Sequence, residues 1–551
     1  MEGNLTTLPV TEETIRKAEE TLLAYRAAKA PLEARLLENE QWYRLRHWST
    51  MRRNPGDPEP ASAWLLNCIA NKHADAMDNV PEPYVLPREE GDAPDAEALS
   101  AILPVVMELN EYEQVYSDVW WAKLKGGTGV TGVFWNPDGA DGLGDVDIRK
   151  VELLRLYWEP GVSRLQASRN VFHVESVPNE TLIDRWPFLR GRLNGSALTD
   201  SALPASAQTG ERSVVVDWYY KRRCGGRTVV HYAKFVCGNL LYASENDERY
   251  RLRGYYDHGL YPFVFDTQFV EPDSPAGFGY IDVCKQPQMY IDRLNQVILK
   301  GALMAARPRF FIRSDGSINE QEYADWTRDF VHFQGGSSPQ ESIRQIDVRG
   351  PDAVLVRILS DKIEELKETS GNRDFSQGSA ASGVTAAGAI MALQDAGGKL
   401  SRDMLKSSYR AFTKVCELCV ELIRQFYDEP RCFRILGEAA SIRYIRYDNA
   451  RIRPRVEDGL YRKPAFDIKI RPQRSAPMVM SARNEMAREF YRMGFFDPAN
   501  AEQALGCLEM MEFEGKPQMI ELLRRRRGAL VPAAENKGLT LRAGSGAARM
   551  V

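Results

Sequence analysis

Two glycine-rich stretches have the composition that cradles phosphate. One is Gly126-Gly127-Thr128-Gly129-Val130-Thr131-Gly132, the other Gly397-Gly398-Lys399-Leu400. A phosphate loop follows a strand, ends in Gly-Lys-Ser/Thr and opens a helix, so that backbone N–H groups, a lysine and a magnesium-binding hydroxyl converge. In the first stretch the order is reversed: a helical pattern precedes the glycines and a strand pattern, 130–135, follows. In the second, Leu400 stands where the hydroxyl is required. Neither stretch supports nucleotide hydrolysis.

Other reactive residues are dispersed. The chain has 8 cysteines in 551 residues, too dilute for a disulfide framework. Cys416 and Cys419 form the only C-x-x-C, within a helical pattern and with no second pair at zinc spacing. They read as buried small apolar side chains. Cys224 and Cys237 flank a hairpin, where they are close enough in sequence to approach, and in a reducing compartment they stay thiols. The six histidines, His47, His73, His173, His231, His258 and His332, show no metal-ligand spacing. A Gly-x-Ser-x-Gly elbow is absent. Trp42, Tyr43 and Trp48 end the first helical segment and suit domain packing better than ligand stacking. No catalytic residue, metal or cofactor is predicted.

Charge adds one local feature. Lys and Arg number 72 against 76 Asp and Glu, a net −4, so the whole chain does not announce a polyanion partner. Residues 431–474 are basic, with twelve Lys or Arg against five Asp or Glu. Arg443, Arg446, Arg451, Arg453 and Arg455 alternate with Tyr and Ile there, a strand pattern. Such a face could meet phosphates, or it could be a solvated or subunit face paired with acids. No apolar run reaches the eighteen or so residues of a membrane span. The N-terminus lacks a basic-then-apolar signal, which predicts a cytoplasmic origin.

The elements around these residues follow from periodicity. Helix is predicted over 11–48, capped by Thr11 and broken or bent at Pro31, then over 64–76, 96–109 and 112–124. Prolines 81, 83 and 87 make an extended segment. Residues 130–275 are mostly β, with a meander over 214–223, 227–236 and 240–244 and a mobile loop over 193–211. From Pro287 to Ala305, Tyr290, Leu294, Val297 and Ile298 make an apolar stripe, with Asp292, Arg293, Asn295, Gln296 and Lys300 on the other face. Pro287 is placed in the first turn. After a small insert, Leu355, Ile358, Leu359, Ile363 and Leu366 make a second stripe. A small-residue loop follows, holding a short helix over 385–396, then one long amphipathic helix over 400–427 carrying Leu405, Phe412, Cys416, Cys419, Ile423 and Phe426.

This order of parts resembles the portal proteins of tailed bacteriophages, from about Trp42 to Arg527. The pieces that carry the resemblance are the 272–279 lead-in, the helix with Gln288 and Asn295, the Pro308 exit, the helix end 366–374 and the segment 385–391. The resemblance implies an α+β portal fold with a β-rich wing, a paired helical stem, a small clip, a long supporting helix and a helical crown. The implied map is wing 1–276, first stem helix 277–308, clip 309–350, second stem helix 351–370, tunnel loop 371–399, long wing helix 400–428, return strands 429–480, crown helices 481–527 and flexible tail 528–551.

It further implies a closed ring, usually twelve-fold, at one capsid vertex of a virion assembled in a bacterial cytoplasm. Double-stranded DNA would pass the axis without sequence readout. The other partners would be the terminase large subunit, which carries the ATPase, capsid and scaffold proteins, and a tail adaptor. Lys300, Arg373, Lys399 and Arg402 become candidates for facing DNA, and Gln334, Ser337, Ser338 and Pro339 for docking the motor or adaptor. Two other readings stay open. A DNA-modifying enzyme on the β-rich scaffold lacks an assembled catalytic constellation. Another head–tail adaptor ring fits the length and the paired helices less well.

Overall fold

The computed structural model describes residues 10–51, 56–193, 198–202, 210–224, 226–306, 309–312, 343–346, 350–371, 399–436, 442–457, 460–474 and 488–494, with a few isolated positions besides. Residues 1–473 form one unit and 474–551 another.

The chain enters through α1, Glu12–Tyr43, where Thr11 and Thr14 exchange side-chain and backbone hydrogen bonds in a capping box. Pro31 sits inside α1, and the helix continues through it rather than breaking. The lost hydrogen bond is offset by packing: Leu32 and Leu36, on either side of the next turn, lie against the main core. Next come α2, Trp64–Met77, and β1, Asn79–Pro87; then α3, Ala93–Leu109, and α4, Tyr112–Gly126.

The β-rich part forms two antiparallel sheets. In the smaller, β2, Thr128–Asn136, lies between β3, Asp145–Val151, and β9, Phe263–Thr267. The larger has the order β4, Leu156–Trp158; β5, Asn170–Pro178; β6, Arg212–Cys224; β7, Arg227–Val236; and β8, Asn239–Ala243. A short helix α5, Asn179–Arg185, follows β5. The predicted meander is therefore the far half of the larger sheet. Cys224 and Cys237 do not approach: Cys224 pairs with Arg227 at one end of β7, while Cys237 follows Val236 at the other. Nine residue steps of strand, roughly 30 Å, separate the two ends. Both cysteines remain thiols. Most of the loop expected over 193–211 lies outside the described residues.

Two long helices follow. α6 is Tyr280–Ala306 and α7 is Ala353–Ser370. α6 begins seven residues before Pro287, so this proline is internal and not in the first turn. The start is fixed by Asp282, whose carboxylate accepts from the Gly279 N–H at 2.9 Å. α7 opens with Asp352 accepting from the Val354 N–H and closes on Gly371 at φ +66°. The insert between them is closed by an antiparallel pair, β10, Arg309–Ile312, and β11, Ile343–Ile346. Residues 321–330 and 334–339 of the insert lie almost wholly outside the described residues, as does the helix expected over 385–396.

The long helix α8, Lys399–Phe426, buries Phe412, Cys416, Cys419, Ile423 and Phe426 as the pattern requires. The basic stretch is β structure: β12, Arg431–Leu436, pairs with β13, Ile442–Tyr447; β14, Arg455–Glu457, with β15, Leu460–Arg462; and β16, Phe466–Arg474, with β1. In the second unit the described residues include one helical turn around the buried Phe490; most of the expected crown, and all of the 528–551 tail, lie outside them. The mixture of helices and segregated antiparallel sheets is an α+β fold.

Candidate functional site at the paired helices

α6 and α7 run antiparallel along each other. Tyr290 on α6 meets Lys362 on α7 at 5.8 Å, and Gly301, further along α6, faces Pro351, just before α7. At the near end Ile291 and Leu366 are buried together with Cys68 of α2.

The face of α6 that docks is mixed: Ile281, Cys284 and Ile291 are buried beside Gln288 and Asp292, Asn295 and Gln296 are half-buried, and Arg293 and Lys300 stay exposed. Asp292, read from the pattern as outward, is fully buried. Its Oδ1 accepts from the Ser62 N–H at 2.8 Å, and its Oδ2 accepts from Gln288 Nε2 at 2.9 Å and lies 3.0 Å from His47 Nε2. Gln288 Oε1 accepts from the Leu65 N–H, and its amide donates to the Ser62 carbonyl. Asn295 donates to Ser62 Oγ and Gln296 to the Pro58 carbonyl. The segment before α2 thus presents backbone groups that need partners, and the polar side of α6 supplies them.

The stripe read as buried is consequently turned out. Tyr290 is 48%, Val297 53% and Leu303 54% exposed, with Leu299 beside them; Leu294 and Ile298 are half-buried. On α7, Leu366 is buried, Leu355, Leu359 and Ile363 are half-buried, and Val354, Val356 and Ile358 are exposed.

The glycine stretch after α4 has a packing reason. A Cβ on Gly127 would strike the backbone of Phe278, one on Gly279 the Leu124 carbonyl at 2.8 Å, and one on Gly277 the Phe269 carbonyl. These glycines let the end of α4 and the start of β2 cross the lead-in of α6 at backbone distance. Helix precedes and strand follows, as the sequence indicates.

A second buried polar centre ties α8 to this frame. Lys123 of α4 has its ammonium 2.7 Å from Asp266 of β9, and donates to Ser408 Oγ at 2.8 Å and the Met404 carbonyl at 3.3 Å. Ser408 also bonds Asp266. Lys123 escaped the sequence reading. Its signal was present: it falls on the same helical face as Tyr116, Val119 and Trp120, which are all buried.

The sequence candidates divide. Lys300 is half-exposed and its ammonium pairs with Asp57 at 2.7 Å. Arg402 is exposed near the start of α8. Lys399 begins α8 as a backbone position only; Arg373, Gln334, Ser337, Ser338 and Pro339 lie outside the described residues. In the basic stretch several cations face acids or carbonyls. Arg431 is buried, donates to the carbonyls of Leu143 and Gly144 and stacks on Tyr427. Arg462 binds Glu89 and Asp92, Arg451 Asp95, and Lys463 Glu421. Arg434 and Arg446 stay exposed on the β12–β13 ribbon.

Among the described residues no group of His, Cys, Asp and Glu could hold a metal ion, and no helix is long and apolar enough to cross a membrane. What the geometry defines is a helix pair rooted in an α+β body and bracketing a small insert, with one long helix packed on that body. The family model for phage P22-like portal proteins matches residues 73–260 and 261–539, most of the chain. The chain belongs to that family and is a structural portal subunit of a phage. No curated protein matches it.

Proposed function

We propose that the protein assembles as a closed ring, twelve-fold in the usual portal manner, at one capsid vertex, and that DNA passes its axis during packaging and ejection. The reading rests on one observation above others: α6 leaves Tyr290, Val297, Leu299 and Leu303 exposed while Gln288 and Asp292 are buried against the body of its own subunit. On a lone chain that apolar surface meets water; neighbouring copies can cover it. α6 and α7 are then the stem, residues 309–350 the clip that docks the terminase motor and later the tail adaptor, and 371–399 the tunnel loop. Residues 481–527 form the crown, and capsid and scaffold proteins surround the ring.

Arg373, Lys399 and Arg402 make circles of weak, salt-screened phosphate contacts. Lys300 is the weakest of the four candidates, because Asp57 already neutralises it. Negative-stain imaging with mass measurement in solution tests the assembly: rings with a central hole support it, and a monomer under all salt and concentration conditions opposes it. Packaging by particles carrying Arg373→Glu with Lys399→Glu tests the DNA contact. Unchanged packaging rate, genome retention and salt response would exclude it.

A further inference from the structure

Between β1, the C-terminal half of α3 and the start of α4 lies an open groove of about 760 Å³. Its floor is apolar: Met77, Val80, Pro81, Pro83, Met107 and Tyr112. Its rim is of one sign. Glu82, Glu108, Glu111 and Glu113 line it, no Lys or Arg does, and none of the four has an ion-pair partner among the described residues. All four are exposed. Leu109, exposed, adds apolar surface beside the rim. Water solvates lone glutamates well, but four around an apolar floor repel one another and repel any polyanion. DNA is thereby excluded as the occupant.

The same chain carries the complementary surface. On the β12–β13 ribbon, Arg434 stands directly opposite Tyr444, and Cys432 opposite Arg446. Opposed and alternate residues share a face, so Arg434, Tyr444 and Arg446 lie together on one side. That side is exposed, Tyr444 by 67%. Neither arginine has an acidic partner among the described residues, unlike Arg451 and Arg462 nearby.

We propose that the Arg434–Tyr444–Arg446 face of one copy seats on the Glu82–Glu108–Glu111–Glu113 groove of the next copy. The tyrosine covers the Pro and Met floor and the arginines meet the glutamates. A contact between two different patches is heterologous, the kind that closes a ring when the rotation is right. The inference rests on the ring reading above and names one of its interfaces. Rim charges of this kind govern pairing choice and association rate more than total affinity.

Charge reversal tests it. Glu82→Lys with Glu108→Lys reverses the groove, and Arg434→Glu with Arg446→Glu reverses the ribbon. Each pair alone is expected to raise the concentration needed for ring formation by about tenfold or more, because like charges then face each other. The chain carrying all four substitutions is expected to regain assembly, since both signs are reversed together. Circular dichroism and melting of each variant confirm that the subunit is folded. Two-substitution variants that assemble like wild type would overturn the interface. So would a folded four-substitution variant that fails to recover. Loss of DNA binding by the ribbon variant with its assembly intact would assign those arginines to phosphate instead. A wild-type chain that never forms rings defeats the ring reading itself, and this interface with it.

Discussion

His47 and Asp292 are 245 positions apart in sequence and 3.0 Å apart in the fold, Nε2 to Oδ2, both excluded from water. The imidazole stacks on Trp42 at 4.2 Å, nearly parallel. The carboxylate oxygen lies off the direction of the ring N–H, so the contact is a close polar approach rather than a directed hydrogen bond. It joins the end of the α1 region to the root of α6, and through Ser62 and Gln288 it sets where the helix pair leaves the body.

Asp292→Ala removes the acceptor for Ser62 and Gln288 and leaves His47 facing nothing. Breaking a buried polar centre in this way costs roughly 3–5 kcal/mol. Asp292→Asn, which keeps the size and one acceptor, is expected to cost less. Chemical denaturation of the three proteins measures the order; equal midpoints for wild type and Asp292→Ala would refute the anchoring role.

Lys123 and Asp266 give a sharper test, because a buried ion pair and its absence can be compared. Lys123→Met leaves the buried Asp266 carboxylate without its cation, with the Ser408 hydroxyl still bonded to it, and is expected to cost roughly 3–5 kcal/mol. Adding Asp266→Leu removes the stranded charge, so the double variant should recover much of the loss. If the second substitution makes matters worse by its own full cost, the two residues are not a coupled pair.

Acid should destabilise the fold before ordinary carboxylates titrate. Burial pushes His231 down to about 4, helped by the Arg222 charge. Burial, with Arg424, Lys463 and Lys221 nearby, pushes His258 down to about 3. The unfolded chain takes these protons from about pH 6.5, the folded one only near those lower values. Below about pH 6.5 the unfolded state therefore binds more protons, and stability falls with pH until the folded histidines titrate. Asp217, held well below its usual range by Lys234 and by His173 despite its burial, has the same sign and adds to the loss at lower pH. Unfolding midpoints between about pH 7 and pH 4 should drop, and less steeply in His231→Asn. A flat profile in the wild type would contradict the burial assigned to these rings.

Val297→Asp with Leu303→Asp probes the outward apolar face of α6. Both positions are about half exposed, 53% and 54%, so the isolated subunit should keep its melting temperature. Ring formation should weaken, because the neighbour would have to bury two carboxylates without partners. Rings of wild-type stability, measured by dilution, would place the subunit contact elsewhere.

Many local signals were legible in the sequence, though Pro31 did not break α1 and Pro287 did not open α6. The Thr11 cap, the meander strands and the buried stripe of α8 depend on residues within a few positions of one another. The same holds for rejecting the glycine stretch after α4 as a phosphate loop, since helix before and strand after are local facts. The face that α6 buries was not legible. Its period is correct, but hydropathy assigns the apolar side inward, and only the backbone groups of 58–65, more than 200 positions away, draw Gln288 and Asp292 into the docked face and leave Val297 and Leu303 out. Lys123 likewise reads as an ordinary charged helix residue until β9 and α8 bring Asp266 and Ser408 to it. Periodicity reports which residues share a face. Whether that face meets water, its own chain or another copy is decided by partners that only the folded chain brings near.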